Sequence, residues 1–390
     1  RGLALICALA RASPESRAAV MSACGIAALH VALHAHMAEA GSKADSNVLV
    51  ADEYCLQVQP PNSAQLVLDA MHTFPEETTV QTAACLALRD LARGSAARQA
   101  ELDSLGGLDS VLGILRRQPK SLEVQRAGCK ALHALALGSA AREAKFMELG
   151  GMEVLLAAMA SFPGEVELVE PGVLTLRLLL QGHPGAWERV PAEDVQPVLR
   201  VVSLNLGRPA LLEECALVLT EVAAYGEVHQ FMIATWDEGT EGLQLVCPKG
   251  VRMVCRIFEA HPTRNSLQVV AARCMTAIMR GEKIIARDFF TAGALDLLTR
   301  TLSTNVRNPA VLVPFFVAME TLVDSAKNNG VKDKAILLKG IEHVRSALMN
   351  FKDHQEIQRT AKSLCELLES PEEYPESQPD DEQPQSDLDY

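Results

Sequence analysis

The sequence predicts an all-α solenoid, a fold that grows by stacking small helical units along one axis. Two observations carry that prediction. First, Val80 to Arg98 returns 44 residues later as Val124 to Arg142, sharing Val-Gln-x-Ala-[Ala/Gly]-Cys-x-Ala-Leu and the closing Gly-Ser-Ala-Ala-Arg. Gly106-Gly107 returns as Gly150-Gly151, and Pro75, Pro119 and Pro163 keep the same spacing. A period of this size belongs to arrays in which each unit buries its apolar face only against its neighbours. Second, apolar residues make up 48% of the 390 and aromatics only 4%. Ala and Leu dominate, which suits closely stacked helices better than sheets rich in aromatic and β-branched residues.

In chain order, Leu9-Ala10 and Cys24-Gly25 match Leu91-Ala92 and Gly106-Gly107, so the chain is expected to open inside an incomplete repeat and to be a fragment of something longer. The basic start and Ala-x-Ala spacing of Arg1 to Ala12 imitate a secretory leader, but the repeat register accounts for them. A degenerate unit follows, with a loop expected over 38–62, where Gly, Ser, Asp, Asn and Pro60-Pro61 break the pattern.

From Ser63 the register is clean. Val67, Leu68 and Met71 recur as Val111, Leu112 and Leu115, then as Leu155, Leu156 and Met159, the i, i+1, i+4 spacing of one helix face. Each such helix is predicted to stop at the repeated proline. A longer helix then starts at Val80, Val124, Leu168, Leu211, Leu267, Val311 and Ile357, with Gln as the next residue in four of the seven. Pro171 and Pro314 fall three residues past these starts, a first-turn position where proline is tolerated. The interval from Leu211 to Leu267, 56 residues, is the long one, and an inserted surface loop is expected over about 226–249, including Trp236.

The final twenty residues hold eight acids and no base, so the net charge of −13 falls to −5 for residues 1–370. That tail, 371–390, is expected to be disordered and the solenoid to span 1–370. Neither charge suits a nucleic-acid binder, which would show a basic face, and no apolar run approaches the ~20 residues that span a bilayer. The ten cysteines sit in helical patterns without a paired framework, so a reducing compartment, cytoplasm or nucleus, is expected.

The phrases Ala-Met-x-x-Phe-Pro-x-x-x-x-Val-Gln-x-x-Ala-Cys-x-Ala-Leu-x-x-Leu-Ala and Glu148-Leu149-Gly150-Gly151 resemble armadillo repeats. More narrowly they are similar to the armadillo repeat-containing protein 6 family and to the armadillo domain of leucine-rich repeat kinases. The resemblance implies three helices per repeat, a right-handed superhelix, a concave groove lined by the third helices, and no catalytic activity. The expected function is therefore a non-catalytic scaffold or adaptor holding a partner segment in that groove. The alternatives are the regulatory armadillo region of a larger enzyme such as a kinase, and a nuclear transport carrier.

Counted along the third helices, the candidate partner-binding residues are Leu86, Arg89, Asp90, Arg93, Lys130, His133 and Arg177, of which the basic ones form a modest positive cluster. That cluster fits a protein partner with an extended or acidic segment. The alternative is a set of solvated side chains with no ligand. The Trp and Asn ladders of the armadillo import receptors are absent. His30 and His34, one helical turn apart, have the spacing of helical zinc ligands, but no carboxylate or cysteine completes a set. No cofactor, metal, small-molecule substrate, nucleic acid or membrane is predicted as a partner, and no phosphate loop or nucleophile motif occurs.

Overall fold

The computed structural model describes residues 63–94, 96–136, 138–183, 185–236, 249–280, 283–327 and 334–369. The incomplete first repeat, the loop over 38–62, His30, His34 and the acidic tail lie outside the described residues. The chain divides into two compact units, Arg1–Gly281 and Glu282–Tyr390. Among the described residues both are entirely helical, as the sequence predicts.

In the first unit the chain runs α1 (Ser63–Thr73), α2 (Thr78–Gly94), α3 (Ala96–Ser104), α4 (Gly107–Arg117), α5 (Leu122–Ala136), α6 (Ala140–Glu148), α7 (Gly151–Ser161) and α8 (Val166–Gly182). Two 3₁₀ turns, Ala186–Arg189 and Ala192–Val195, precede α9 (Gln196–Leu204) and α10 (Pro209–Ala223). Then come α11 (Glu227–Thr235), α12 (Lys249–Ala260) and α13 (Asn265–Met279). A full repeat is thus a short first helix, an amphipathic second and a long third. The third helices α2, α5, α8, α10 and α13 pack each on the next, and the second helices α1, α4, α7, α9 and α12 form a parallel ladder.

The second unit holds α14 (Lys283–Thr291), α15 (Ala294–Asn305), α16 (Pro309–Lys327), α17 (Lys334–Asn350) and α18 (Gln355–Glu369). There α16 packs on α18 and α15 on α17, around fully buried Phe289, Phe315 and Phe316.

Local chemistry explains why these elements begin and end where they do. Gly106 and Gly150 stand at φ 72° and 68°, left-handed values that favour glycine. Their partner Gly151 has a different reason: a Cβ there would lie 2.4 Å from the Phe146 ring, so only glycine lets α6 close onto α7. The repeated Gln is buried at Gln81, Gln125 and Gln268 and half-buried at Gln358. Gln81 Nε2 donates to the carbonyls of Met71 (2.9 Å) and Phe74 (2.7 Å). Gln268 repeats the pattern on Phe258 (2.9 Å) and His261 (3.0 Å), and Gln358 on Leu348 (2.8 Å) and Phe351 (3.1 Å). Met71, Phe258 and Leu348 lie in the last turn of the second helix, whose carbonyls lack an intrahelical donor, and Phe74, His261 and Phe351 are the residues just past its end.

A second device ties neighbouring repeats. The residue after the second helix reaches the previous repeat's backbone: Gln118 Nε2 donates to Pro75 O (3.0 Å), Asn205 Nδ2 to Pro163 O (3.0 Å) and His261 Nε2 to Leu206 O (2.8 Å).

The structure corrects three expectations. The third helices begin two residues before the predicted starts, so Pro171 and Pro314 are the sixth residues of α8 and α16 rather than first-turn residues. Each therefore removes one interior backbone bond, a defect these long helices absorb. The second helices stop two residues before Pro75, Pro119, Pro163 and Pro262 rather than at them, because the residue preceding a proline is itself driven out of the helical region. Finally, the inserted loop expected over 226–249 is helical over Glu227–Thr235 and again from Lys249, and Trp236 is buried, not at the surface. Residues 237–248 lie outside the described residues.

Candidate functional site

The third helices of the first unit present one face away from the second-helix ladder. Their buried stripe, in α5 Val124, Ala127, Cys129, Ala131 and Leu132, points into the stack. The remaining positions carry the predicted site residues. On α2, Leu86, Arg89 and Asp90 are half-buried and Arg93 is exposed. Lys130 and His133 on α5 and Arg177 on α8 are half-buried on the same side.

The predicted basic residues lie on third helices, and most of them meet partners that counting along one helix does not give. Arg89 bonds its neighbour Asp90, Nη2 to Oδ1 at 2.7 Å. Lys130 Nζ lies 2.6 Å from Glu167 Oε2 on the next third helix, with Arg126 3.9 Å from the same oxygen. The hydrogen bond from Lys130, the Lys130 charge and then the Arg126 charge hold the exposed Glu167 carboxyl below its usual range. Arg177 pairs through Nε with Glu214 of α10, while its Nη1 donates to Gln181 Oε1 at 2.9 Å. The positive cluster is thus largely offset by carboxylates from the same or the following helix. Glu167 and Glu214 are not among the positions counted along the third helices, which is why that count does not find them. Arg93 has no ion-pair partner among the described residues.

His133 is the most constrained member. Its Nδ1 is 3.1 Å from Thr175 Oγ1 on α8, and Thr175, itself buried, donates to Pro171 O at 2.7 Å. Burial, then the positive charge of Arg93 and of Arg177, push the His133 pKa below its ordinary 6.5, so the ring is neutral at pH 7. Arg93, His133 and Arg177 lie on three successive third helices, α2, α5 and α8. Leu86 shares the face but touches none of this network in a hydrogen bond.

Elsewhere, a cleft of ≈ 450 Å³ between α4 and α7 is lined by Leu115, Arg116, Gln125, Glu153 and Val154, on the second-helix side. Arg116 there is bonded to the carbonyls of Leu149 and Gly150. Among the described residues no three His, Cys, Asp or Glu side chains converge as metal ligands, and no helix is long and apolar enough to cross a membrane.

No family model matches the chain, and no curated protein matches it. Solved structures do. An engineered protein aligns over 94% of this chain and 89% of its own, with a TM-score of 0.60 at 19% identity. Computationally designed armadillo repeat proteins for modular peptide recognition align over 66% of this chain and 98% of theirs (TM-score 0.52, 17% identity). A structure from work on a phosphorylation switch controlling the interaction between cadherin and beta-catenin aligns over 93% of this chain and 68% of its own (TM-score 0.55, 13% identity). At these identities the likeness concerns the fold, and the fold is that of armadillo repeats.

Proposed function

We propose that this chain is a non-catalytic protein-interaction scaffold that holds an extended partner segment along the third-helix face of its first unit. The observation that carries the reading is the row of half-buried, hydrogen-bonded polar side chains on that face, positioned by successive helices at one-repeat intervals. Such a row offers a partner pre-oriented contacts, which lowers the entropic cost of binding. Two of the similar structures come from work on peptide recognition and on a protein–protein interaction, which supports the same reading. A partner rich in acids fits the face best at Arg93, the cation of this face with no counter-ion among the described residues. The chemistry needs a protein partner, and the cytoplasm is the compartment that suits the six cysteines buried without a disulfide among the described residues.

The narrower likeness to the armadillo repeat-containing protein 6 family and to the armadillo domain of leucine-rich repeat kinases supports a second reading, as the regulatory region of a larger enzyme. It rests on the Ala-Met…Pro…Val-Gln…Cys-x-Ala-Leu phrasing alone. The carrier reading has less behind it, since Leu86, Lys130, Leu174, Leu217 and Arg273 stand where import receptors carry their ladder.

Affinity capture from cell extract, wild type beside Arg93→Glu/Lys130→Glu, tests the scaffold reading. Arg93 is exposed and Lys130 half-buried, and circular dichroism checks the fold of the double variant, in which Lys130→Glu faces Glu167 with a second carboxylate. A partner held by wild type and lost by the folded variant is expected. An unchanged set of partners overturns the assignment of this face.

A further inference from the structure

The buried amides of the repeated Gln differ in what surrounds their oxygen. In Gln125 both Nε2 protons go to carbonyls at and just past the end of α4, those of Leu115 (2.8 Å) and Gln118 (3.1 Å). Only acceptance at Oε1 is left to this side chain, and no donor among the described residues meets it. Gln81 and Gln268 also have an unpaired Oε1, but theirs is enclosed in the core. Gln125 Oε1 is not enclosed in that way: the residue is 2% exposed, and it lines the ≈ 450 Å³ cleft between α4 and α7. The cleft therefore has an acceptor at its floor with no donor opposite it.

The space is there because α7 carries small side chains where its neighbours carry large ones. Ala158 and Ser161 stand 44 residues after Ile114 and Arg117 of α4, and 43 before Val201 and Leu204 of α9. Leu115, Val154 and Ala158 make the walls apolar. Arg116 and Glu153 supply one charge of each sign, and Ser161 gives its hydroxyl proton to Ala157 O at 2.9 Å. A cation taken into this interior would give up its hydration for a single amide oxygen. A purely apolar group would bury that oxygen with no donor, which also costs free energy. The group that fits has an apolar body and one neutral donor. Indole answers that description: its N–H only donates, as Gln125 Oε1 only accepts, whereas a phenol brings lone pairs that need partners of their own.

We propose that the cleft between α4 and α7 binds a tryptophan side chain of a partner protein, whose indole N–H donates to Gln125 Oε1 while its rings pack on Leu115, Val154 and Ala158. The partner is not a second copy of this chain, because both of its tryptophans, Trp187 and Trp236, are buried. A single large aromatic side chain seated in a cleft, with its one polar atom paired, is the kind of anchor that dominates protein interfaces. The site lies on the second-helix side, not on the third-helix face, so it gives the scaffold a second point of contact and does not depend on the reading of that face.

The test uses the full chain and short Gly/Ser peptides with one central Trp, benzothienylalanine or Ala, titrated by saturation-transfer difference NMR. Benzothiophene carries sulfur in place of the N–H at nearly the same size, so this comparison isolates the donor in the wild-type protein and needs no variant. The Trp peptide is expected to bind, the benzothiophene peptide to bind about tenfold more weakly, and the Ala peptide to give no signal. Ala157→Phe, at an exposed position that lines the cleft, is expected to abolish Trp binding while its circular dichroism stays that of wild type. Arg93→Glu/Lys130→Glu is expected to leave Trp binding unchanged, so this site and the third-helix face can fail separately. A Trp peptide bound no better than the Ala peptide, or equal affinities for the Trp and benzothiophene peptides, overturns the proposal. So does Trp binding that survives in folded Ala157→Phe, or that is lost in Arg93→Glu/Lys130→Glu, which would move the indole to the third-helix face.

Discussion

Gln125 donates from Nε2 to the main-chain carbonyl of Leu115 at 2.8 Å, ten residues back and across the turn that joins two helices. The same amide reaches Gln118 O at 3.1 Å. One buried side chain thus closes the end of α4 and fixes the start of α5 against it. Replacing Gln125 with Leu keeps the bulk but leaves both carbonyls without this donor. A loss of about 1–3 kcal/mol is expected, read as a lower urea midpoint, with Gln268→Leu behaving alike. An unchanged midpoint in both would mean that solvent replaces the amide and that the repeated Gln has another role.

Two glycines in adjacent helices should respond oppositely to the same substitution. At Gly113, inside α4, an added Cβ meets nothing within 4 Å, so Gly113→Ala should stabilise by about 0.5–1 kcal/mol through backbone entropy. At Gly128 in α5 it would lie 2.4 Å from Leu115 Cδ2. Gly128→Ala forces Leu115 aside and should cost about 1–3 kcal/mol. Thermal melting of the two variants checks both signs.

The buried thiols predict alkaline instability. Burial pushes Cys85, Cys129 and Cys274 up to about 12 from an ordinary 9.0, with the Cys85 thiol adding to the effect at Cys129. The folded chain then holds these protons more tightly than the unfolded chain. Their contribution is complete below pH 9.0 and is lost as pH rises from there toward 12. The melting temperature should fall over that window, and less steeply in Cys85→Ala/Cys129→Ala. Iodoacetamide at neutral pH should leave these three thiols unmodified until the protein is unfolded.

His133 predicts the opposite end of the pH scale. Its pKa lies below 6.5 in the folded protein, first through burial and then through Arg93 and Arg177. The unfolded chain binds that proton more readily, so the contribution is complete above pH 6.5 and is lost as pH falls through the folded value. His133→Gln should flatten the stability profile on the acid side in the absence of any ligand. An equal acid slope in both proteins would locate the pH sensitivity at another group, such as His229, which burial also lowers.

The sequence by itself determined the repeat and its internal punctuation. The 44-residue period, the glycine pairs, the repeated prolines and the Val-Gln starts all encode events within a few residues of backbone: a left-handed turn, a missing N–H, a buried amide capping a helix end. The basic residues of the third-helix face were legible for the same reason, since their positions follow from counting along one helix. Tertiary structure alone decided what those residues meet. Lys130 finds Glu167 37 residues on, and His133 finds Thr175 42 residues on. It also decided that 3₁₀ turns replace the first helix before α9, around a fully buried Trp187. Such pairings depend on how far and at what angle one helix is displaced from the next. That displacement is set by the packing of whole buried faces, and no run of neighbouring residues records it.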